Sequence, residues 1–149
     1  MAKKALSFTF SGFDKMLENL EKAGKDADKG AKSSIKECAD IYKSELTKAV
    51  NNANIPHIAD DIKAEVKGKD GVYSAKVGWD LGGYDPKNLS SGYKAIFNNY
   101  GTVRRQTRNG QDRGQIEGKQ FIAKSKKQAK NRIKKSQEEI IKKVMEDLE

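Results

Sequence analysis

Apolar and polar residues follow regular periods along most of the chain. Residues 6–10 alternate between the two classes, which predicts a short strand, and Ser11 is placed to cap a helix whose apolar face lies within residues 13–20. A second, longer helix is predicted from about residue 29 to residue 52, where apolar residues recur at helical spacing. Pro56 lies just beyond this helix and cannot continue it.

The clearest local pattern is a β-hairpin at residues 62–79. Apolar and polar residues alternate on both sides of Asp70-Gly71, a dipeptide typical of tight hairpin turns, so each strand has one apolar face. Because an isolated hairpin is marginally stable in water, helices must cover that face. We therefore expect an α+β fold in which N-terminal helices and a long C-terminal helix pack on a small antiparallel sheet. The predicted core includes Ile35, Leu46, Tyr73, Val77, Trp79 and Phe97.

The second half of the chain is predicted to contain two helices separated by a loop. A short amphipathic helix rich in aromatic residues ends at Gly101. Residues 103–118 are polar and basic with few apolar side chains, which predicts a flexible loop. A long helix follows over about residues 119–148, with a narrow apolar stripe that repeats every 11 residues, as in a nearly straight helix. We expect residues 1–149 to form a single domain.

Composition narrows the class of protein. Only 36% of the 149 residues are hydrophobic and 34% are charged, so the core must be thin. A net charge of +9 favours an acidic partner, which is nucleic acid, an anionic surface or an acidic protein face. Cys38 is the single cysteine, so no intramolecular disulfide can form, and we see no signal peptide or membrane span. These features predict a protein made in a cytoplasm.

The sequence offers little for catalysis. A pair of Cys38 and His57 is compatible with nucleophilic chemistry, but Cys38 falls on the apolar face of a predicted helix, where a buried small side chain is the usual explanation. Asp60 and Asp61 belong to no spaced set of metal ligands, and the Gly-Lys-Ser/Thr ending of a phosphate loop is absent. We expect no catalytic residue, no cofactor and no metal.

A basic segment is the most distinctive chemical feature. Residues 104–135 contain twelve lysines and arginines against two acids, a net charge of +10. This charge predicts contact with a DNA backbone or another acidic partner, but it is equally compatible with a solvated surface. Aromatic residues, which single-strand binders use for stacking, are not interleaved with it. The candidate contact residues in the predicted loop are Arg104, Arg105, Arg108 and Arg113.

Four motifs, taken in order, resemble one family. Phe10-Ser11-Gly12-Phe13-Asp14-Lys15-Met16-Leu17 opens the first predicted helix, and Ala53-Asn54-Ile55-Pro56 follows the second. Tyr100-Gly101-Thr102 ends the aromatic segment, and Gln120-Phe121-Ile122-Ala123 opens the last helix. Their order and spacing resemble the head–tail joining, or tail-completion, proteins of bacteriophages with long non-contractile tails. The resemblance covers nearly the whole chain.

The chain also departs from the family pattern at three places. Residues 58–62 stand where the family commonly has a Thr-Gly-x-Leu turn. Asn98-Asn99 replaces an acidic residue, and Gln120 replaces a proline. These differences concern the loops and the ends of helices.

The resemblance implies a non-catalytic structural protein of a phage or prophage virion. Such proteins form rings at the head-proximal end of the tail or in the neck, so it implies a homo-oligomeric ring, contacts with other neck and tail proteins, and non-specific contact with passing DNA. The hairpin offers only one small apolar face, so part of the last helical stripe should remain for a neighbouring subunit. We expect that interface at Ile140, Val144 and Leu148. The alternative function is a basic nucleic-acid-binding protein.

Overall fold

The computed structural model describes residues 26–69 and 72–146. The predicted strand and helix within residues 6–20 and the Asp70-Gly71 turn lie outside the described residues. Within them, the helices are α1 (Asp26–Asn52), α2 (Ser91–Tyr100) and α3 (Phe121–Glu146), and the strands are β1 (Lys63–Lys69), β2 (Val72–Gly78), β3 (Arg105–Gln106) and β4 (Asp112–Gly114).

The architecture is α+β, as the alternation and the helical periods predict. β1 and β2 pair antiparallel over their full length, from Lys63 opposite Gly78 to Lys69 opposite Val72. α1 contacts both strands of this hairpin and also contacts α3. The helix therefore lies between the hairpin and the last helix, and it contributes to both parts of the core.

The core forms where the apolar faces of these elements meet. Ile35, Leu46, Val77 and Trp79 are buried, as predicted. Tyr73 is half-buried and packs against this core. The prediction for Phe97 is wrong, because this ring is only half-buried: α2 turns a different face inward, with buried Gly92, Ala95 and Asn99.

Trp79 joins three parts of the fold. Its indole Nε1 donates a hydrogen bond of 2.6 Å to the carbonyl oxygen of Ile58, in the segment after α1. Its ring meets the ring of Phe121, the first residue of α3, edge to face at a centroid distance of 6.2 Å. The side chain thus connects the end of the hairpin to the segment after α1 and to α3, and only 2% of Trp79 is exposed.

The helices α1 and α3 run antiparallel. Ser136 of α3 donates a hydrogen bond of 2.7 Å to Glu37 of α1. Arg132, which precedes Ser136 in α3, forms an ion pair with Glu45, which follows Glu37 by about two turns of α1. Burial opposes ionisation of Glu45, but the hydrogen bonds from Lys48 and Arg132 outweigh it and lower the pKa of this carboxyl. These polar pairs fix the register of the two helices beside their apolar seam.

Candidate interaction surfaces

Two hydrogen bonds between Thr102 and Ile116, which we call the clamp, hold the two ends of the predicted loop together. The amide of Thr102 donates to the carbonyl of Ile116 at 2.9 Å, and the amide of Ile116 donates to the hydroxyl of Thr102 at 3.0 Å. Gly101 has a positive φ of 83°, and a Cβ there would lie 2.7 Å from the carbonyl oxygen of Ile116. The Tyr100-Gly101-Thr102 motif therefore needs its glycine both for its backbone angle and for this close approach.

Asn99 connects the clamp to the last helix. Its buried Oδ1 accepts a hydrogen bond of 2.9 Å from the amide of Ile122, in the first turn of α3. Its carbonyl accepts from the amide of Gln120 at 3.0 Å, and the carbonyl of Asn98 accepts from that of Lys119 at 2.9 Å. The end of α2 thus satisfies amides at the start of α3 that have no partner inside the helix. Only the contact through Asn99 Oδ1 depends on the side chain, so it explains the asparagine at position 99. The side chain of Asn98 instead donates to the carbonyl of Lys94.

The segment beyond the clamp carries the candidate arginines. It contains the small antiparallel pair β3–β4, which sequence reasoning did not predict. Arg104 Nε donates to Asp112 Oδ2 at 2.9 Å across this pair, and the hydrogen bond lowers the pKa of Asp112, helped by a bond from the amide of Gly114. The flexibility predicted for residues 103–118 stays a prediction.

The other three arginines differ from Arg104. Arg105, Arg108 and Arg113 are exposed, and none of them forms an ion pair with another described residue. The structure therefore brings three cationic side chains to one short hairpin and leaves them to solvent or to a partner.

An exposed aromatic surface precedes this hairpin. Tyr93, Phe97 and Tyr100 follow one another at helical spacing along α2, on a different face from its buried residues. Tyr84, in the loop before α2, meets Tyr93 edge to face at 5.1 Å, and Tyr93 lies 6.3 Å from Phe97. Tyr84 and Tyr100 are 59% and 61% exposed. We call these four rings the aromatic surface.

The predicted subunit interface is only partly described. Ile140 is half-buried and packs against the core. The side chain of Val144 and the whole of Leu148 lie outside the described residues. The interface at these three positions stays a prediction.

Catalytic chemistry finds no support at the residues considered for it. Cys38 is fully buried in the helical seam, where burial, followed by the nearby charge of Glu37, raises its pKa to about 11. The thiol is therefore protonated at neutral pH and shielded from substrates. In the described part of the chain, no group of His, Cys, Asp and Glu is arranged to hold a metal ion.

A surface hollow of about 680 Å³ lies beside the hairpin. Its lining includes Ile62 and Trp79 together with acids and lysines in equal number, among them Lys63 and Asp80, which pair at 2.7 Å. Such a mixed lining has no net charge, and it includes no cysteine, serine or histidine.

Comparison with protein families decides the class. Residues 14–101 match the family described as "Bacteriophage HK97-gp10, putative tail-component", which is more than half of the chain. The chain belongs to this family of phage tail components. The match spans α1, the β1–β2 hairpin and α2 and ends at Gly101, so the arginine hairpin and α3 follow the matched region.

The other comparisons add no relative. No curated protein and no solved structure matches the chain significantly. In the residues that the structure describes, no helix is long and apolar enough to cross a membrane.

Proposed function

We propose that this tail component completes the head-proximal end of a phage tail and joins it to the head, as a non-catalytic subunit of a ring in the virion. The observation that carries the proposal is the family match over α1, the hairpin and α2. The order of motifs supports the more specific role, because it continues beyond the match into Thr102 and the start of α3. The buried, protonated thiol of Cys38 supports the absence of catalysis.

The ring would use the C-terminal part of α3 as one contact surface, at Ile140, Val144 and Leu148. Within the described residues α1 covers the stripe, with Ile140 half-buried against the core, and a neighbouring subunit would cover the part of the stripe that remains exposed. Contacts between unlike surfaces of identical subunits close into a ring when the rotation between them permits. Other neck and tail proteins would bind the two faces of such a ring.

The arginine hairpin would serve an acidic partner. Arg105, Arg108 and Arg113 are exposed along a segment whose base is held by the clamp. A ring would present several copies of this hairpin, and DNA phosphates passing through its centre or an acidic protein face would both attract it. The residues 1–149 would act as one domain from which this loop projects.

Disruption of the gene tests the proposal in the phage that encodes the chain. We expect DNA-filled heads and complete but separate tails, because the missing ring leaves no surface on which they can join. Electron microscopy of the lysate would show both products, and expression of the chain from a plasmid should restore infectious particles. Normal virions without the gene product would refute the proposed role.

A nucleic-acid-binding function is the second candidate, favoured by the net charge of +10 over residues 104–135. It predicts that the free protein binds duplex DNA tightly, with an affinity that falls steeply as salt rises. The structural role predicts weak binding by the free subunit. Titration of fluorescent DNA at several salt concentrations separates the two functions.

A further inference from the structure

The chain carries opposite charges at the two ends of its last helix. Residues 104–135, which include the arginine hairpin and most of α3, have a net charge of +10. Residues 136–149, which we call the C-terminal segment, contain five acids against two lysines, a net charge of −3. Glu138, Glu139 and Glu146 in this segment are exposed. A basic end and an acidic end on one subunit are complementary to each other.

We propose that the C-terminal segment of one copy of this chain binds the aromatic surface and the arginine hairpin of the next copy. This inference rests on the proposed function and names the two surfaces by which ring subunits would meet. The acids of the segment face Arg105, Arg108 and Arg113. Its apolar residues cover the aromatic surface, Tyr84, Tyr93, Phe97 and Tyr100.

Distance requires that the contact form between two copies. The clamp fixes the base of the arginine hairpin, and the end of the aromatic stripe, beside the first residues of α3. The helix continues to Glu146, and at 1.5 Å per residue its 26 residues span about 39 Å. A helix cannot fold back over that length to bring its own acidic end to its own arginines. The complementary surfaces therefore meet between copies, and in a ring they meet head to tail.

The aromatic surface and the arginines beside it favour a partner that is both apolar and acidic. Tyr84 and Tyr100 are exposed while Tyr93 and Phe97 are half-buried, and adjoining aromatic rings that reach the surface mark an interaction site. The faces of its rings are apolar and favour apolar partners, while the neighbouring arginines favour acidic side chains. The C-terminal segment supplies both properties in its sequence, since its five acids and two lysines are interspersed with apolar Ile141, Val144, Met145 and Leu148.

Charge reversal on the full chain tests the contact. The loop variant R105E/R108E/R113E places glutamates opposite the acidic segment, and the segment variant E138K/E139K/E146K places lysines opposite the arginines. We expect the wild-type chain to self-associate in sedimentation velocity experiments up to about 1 mM. Each variant alone should associate at least roughly 100-fold more weakly, since like charges then meet at the contact.

Mixing the two variants gives the sharper result. In an equimolar mixture each surface again finds one of opposite charge, so association should return although neither variant associates alone. The matched control is K124E/K127E/K130E, which changes the net charge as much as the loop variant does on exposed residues of α3. It should associate like the wild type. Circular dichroism checks that every variant is folded, and glutamine in place of each reversed charge serves where a reversal lowers helicity.

Several outcomes would overturn the inference. A wild-type chain that stays monomeric at about 1 mM, a loop variant that associates normally, or a mixture that remains monomeric would each show that these surfaces do not meet. A loop variant that associates normally but loses duplex DNA binding would assign the arginines to nucleic acid instead. None of these results changes the phenotype expected when the gene is disrupted. Failure of this contact can therefore be distinguished from failure of the proposed function.

Discussion

Replacement of Trp79 by alanine tests whether the hairpin and the two long helices share one core. The side chain is 2% exposed, and its ring packs edge to face against Phe121. Truncation of a buried aromatic ring to alanine costs about 3–5 kcal/mol through lost burial and the cavity that remains. It also removes the donor to the carbonyl of Ile58, which then stays buried without that partner. We therefore expect a loss at the upper end of that range.

The phenylalanine variant separates the two contributions. Trp79→Phe keeps most of the ring and its contact with Phe121 but removes the indole N–H. We expect it to lose roughly 1–3 kcal/mol, mainly from the unsatisfied carbonyl of Ile58. Tyr84→Ala is the matched control, because that ring is 59% exposed and its removal should change the free energy of unfolding by less than about 1 kcal/mol.

Urea denaturation followed by circular dichroism at helical wavelengths measures these free energies. Tryptophan fluorescence is not suitable for the comparison, because Trp79 is the only tryptophan in the chain. A loss below about 1 kcal/mol for Trp79→Ala would refute the reasoning. It would mean that the ring is exposed in solution and that it does not hold the end of the hairpin against α3.

Three further predictions concern the clamp, the loop and the last helix. Gly101→Ala should cost about 1–3 kcal/mol in urea denaturation, because its backbone angle is strained for alanine and the methyl group meets Ile116. Gly110 also has a positive φ, of 73°, but a methyl group there meets no atom within 4 Å, so Gly110→Ala should cost less. Joint replacement of the four loop arginines by alanine should leave the melting temperature within a few degrees of the wild-type value. Backbone amides of residues 103–118 should exchange fast with solvent in the free protein, and strong protection of these amides from exchange throughout the loop would show that it is rigid. Ile140→Asp with Val144→Asp should block assembly in sedimentation experiments and leave the monomer folded, although less stable because half-buried Ile140 packs against the core. If that double variant unfolds, the stripe belongs to the monomer core, and if it assembles normally, the interface lies elsewhere.

The sequence predicts the regular elements well because their periods are long. The hairpin follows from alternation on both sides of Asp70-Gly71, and the structure places β1 at Lys63–Lys69 and β2 at Val72–Gly78. The long helices were predicted to within three residues of their observed ends where the structure describes them. A pattern that repeats over many residues is little affected by single residues that break it, whereas a segment of a few residues can be misread because of one such residue.

The sequence does not predict which face of a short helix turns inward. In α2 the aromatic residues look like the core face, but the small residues Gly92 and Ala95 let the opposite part of the helix approach its neighbours. Phe97 is left half-buried as a result. The pair β3–β4 also escapes prediction, since strands of two and three residues are too short to show alternation.

The sequence indicates only some of the residues that form the candidate interaction surfaces. The arginines are recognisable from charge alone, but the aromatic surface depends on Tyr84, which lies nine residues before Tyr93 and joins it only through the fold of the loop. The role of Asn99 as a cap for α3 could have been suspected from a pair of asparagines just before the aromatic-Gly-Thr motif. Nothing in the local sequence indicates that its partner is Ile122, 23 residues away.

In vitro complementation tests the proposed role most directly. A lysate of the phage with the gene disrupted should contain filled heads and separate tails, and purified protein added to it should be sufficient to join them. The account predicts that infectious titre rises with the amount of added protein, and that the Ile140→Asp, Val144→Asp variant restores none. A titre that does not rise with folded wild-type protein, in a lysate that contains both heads and tails, would contradict the account.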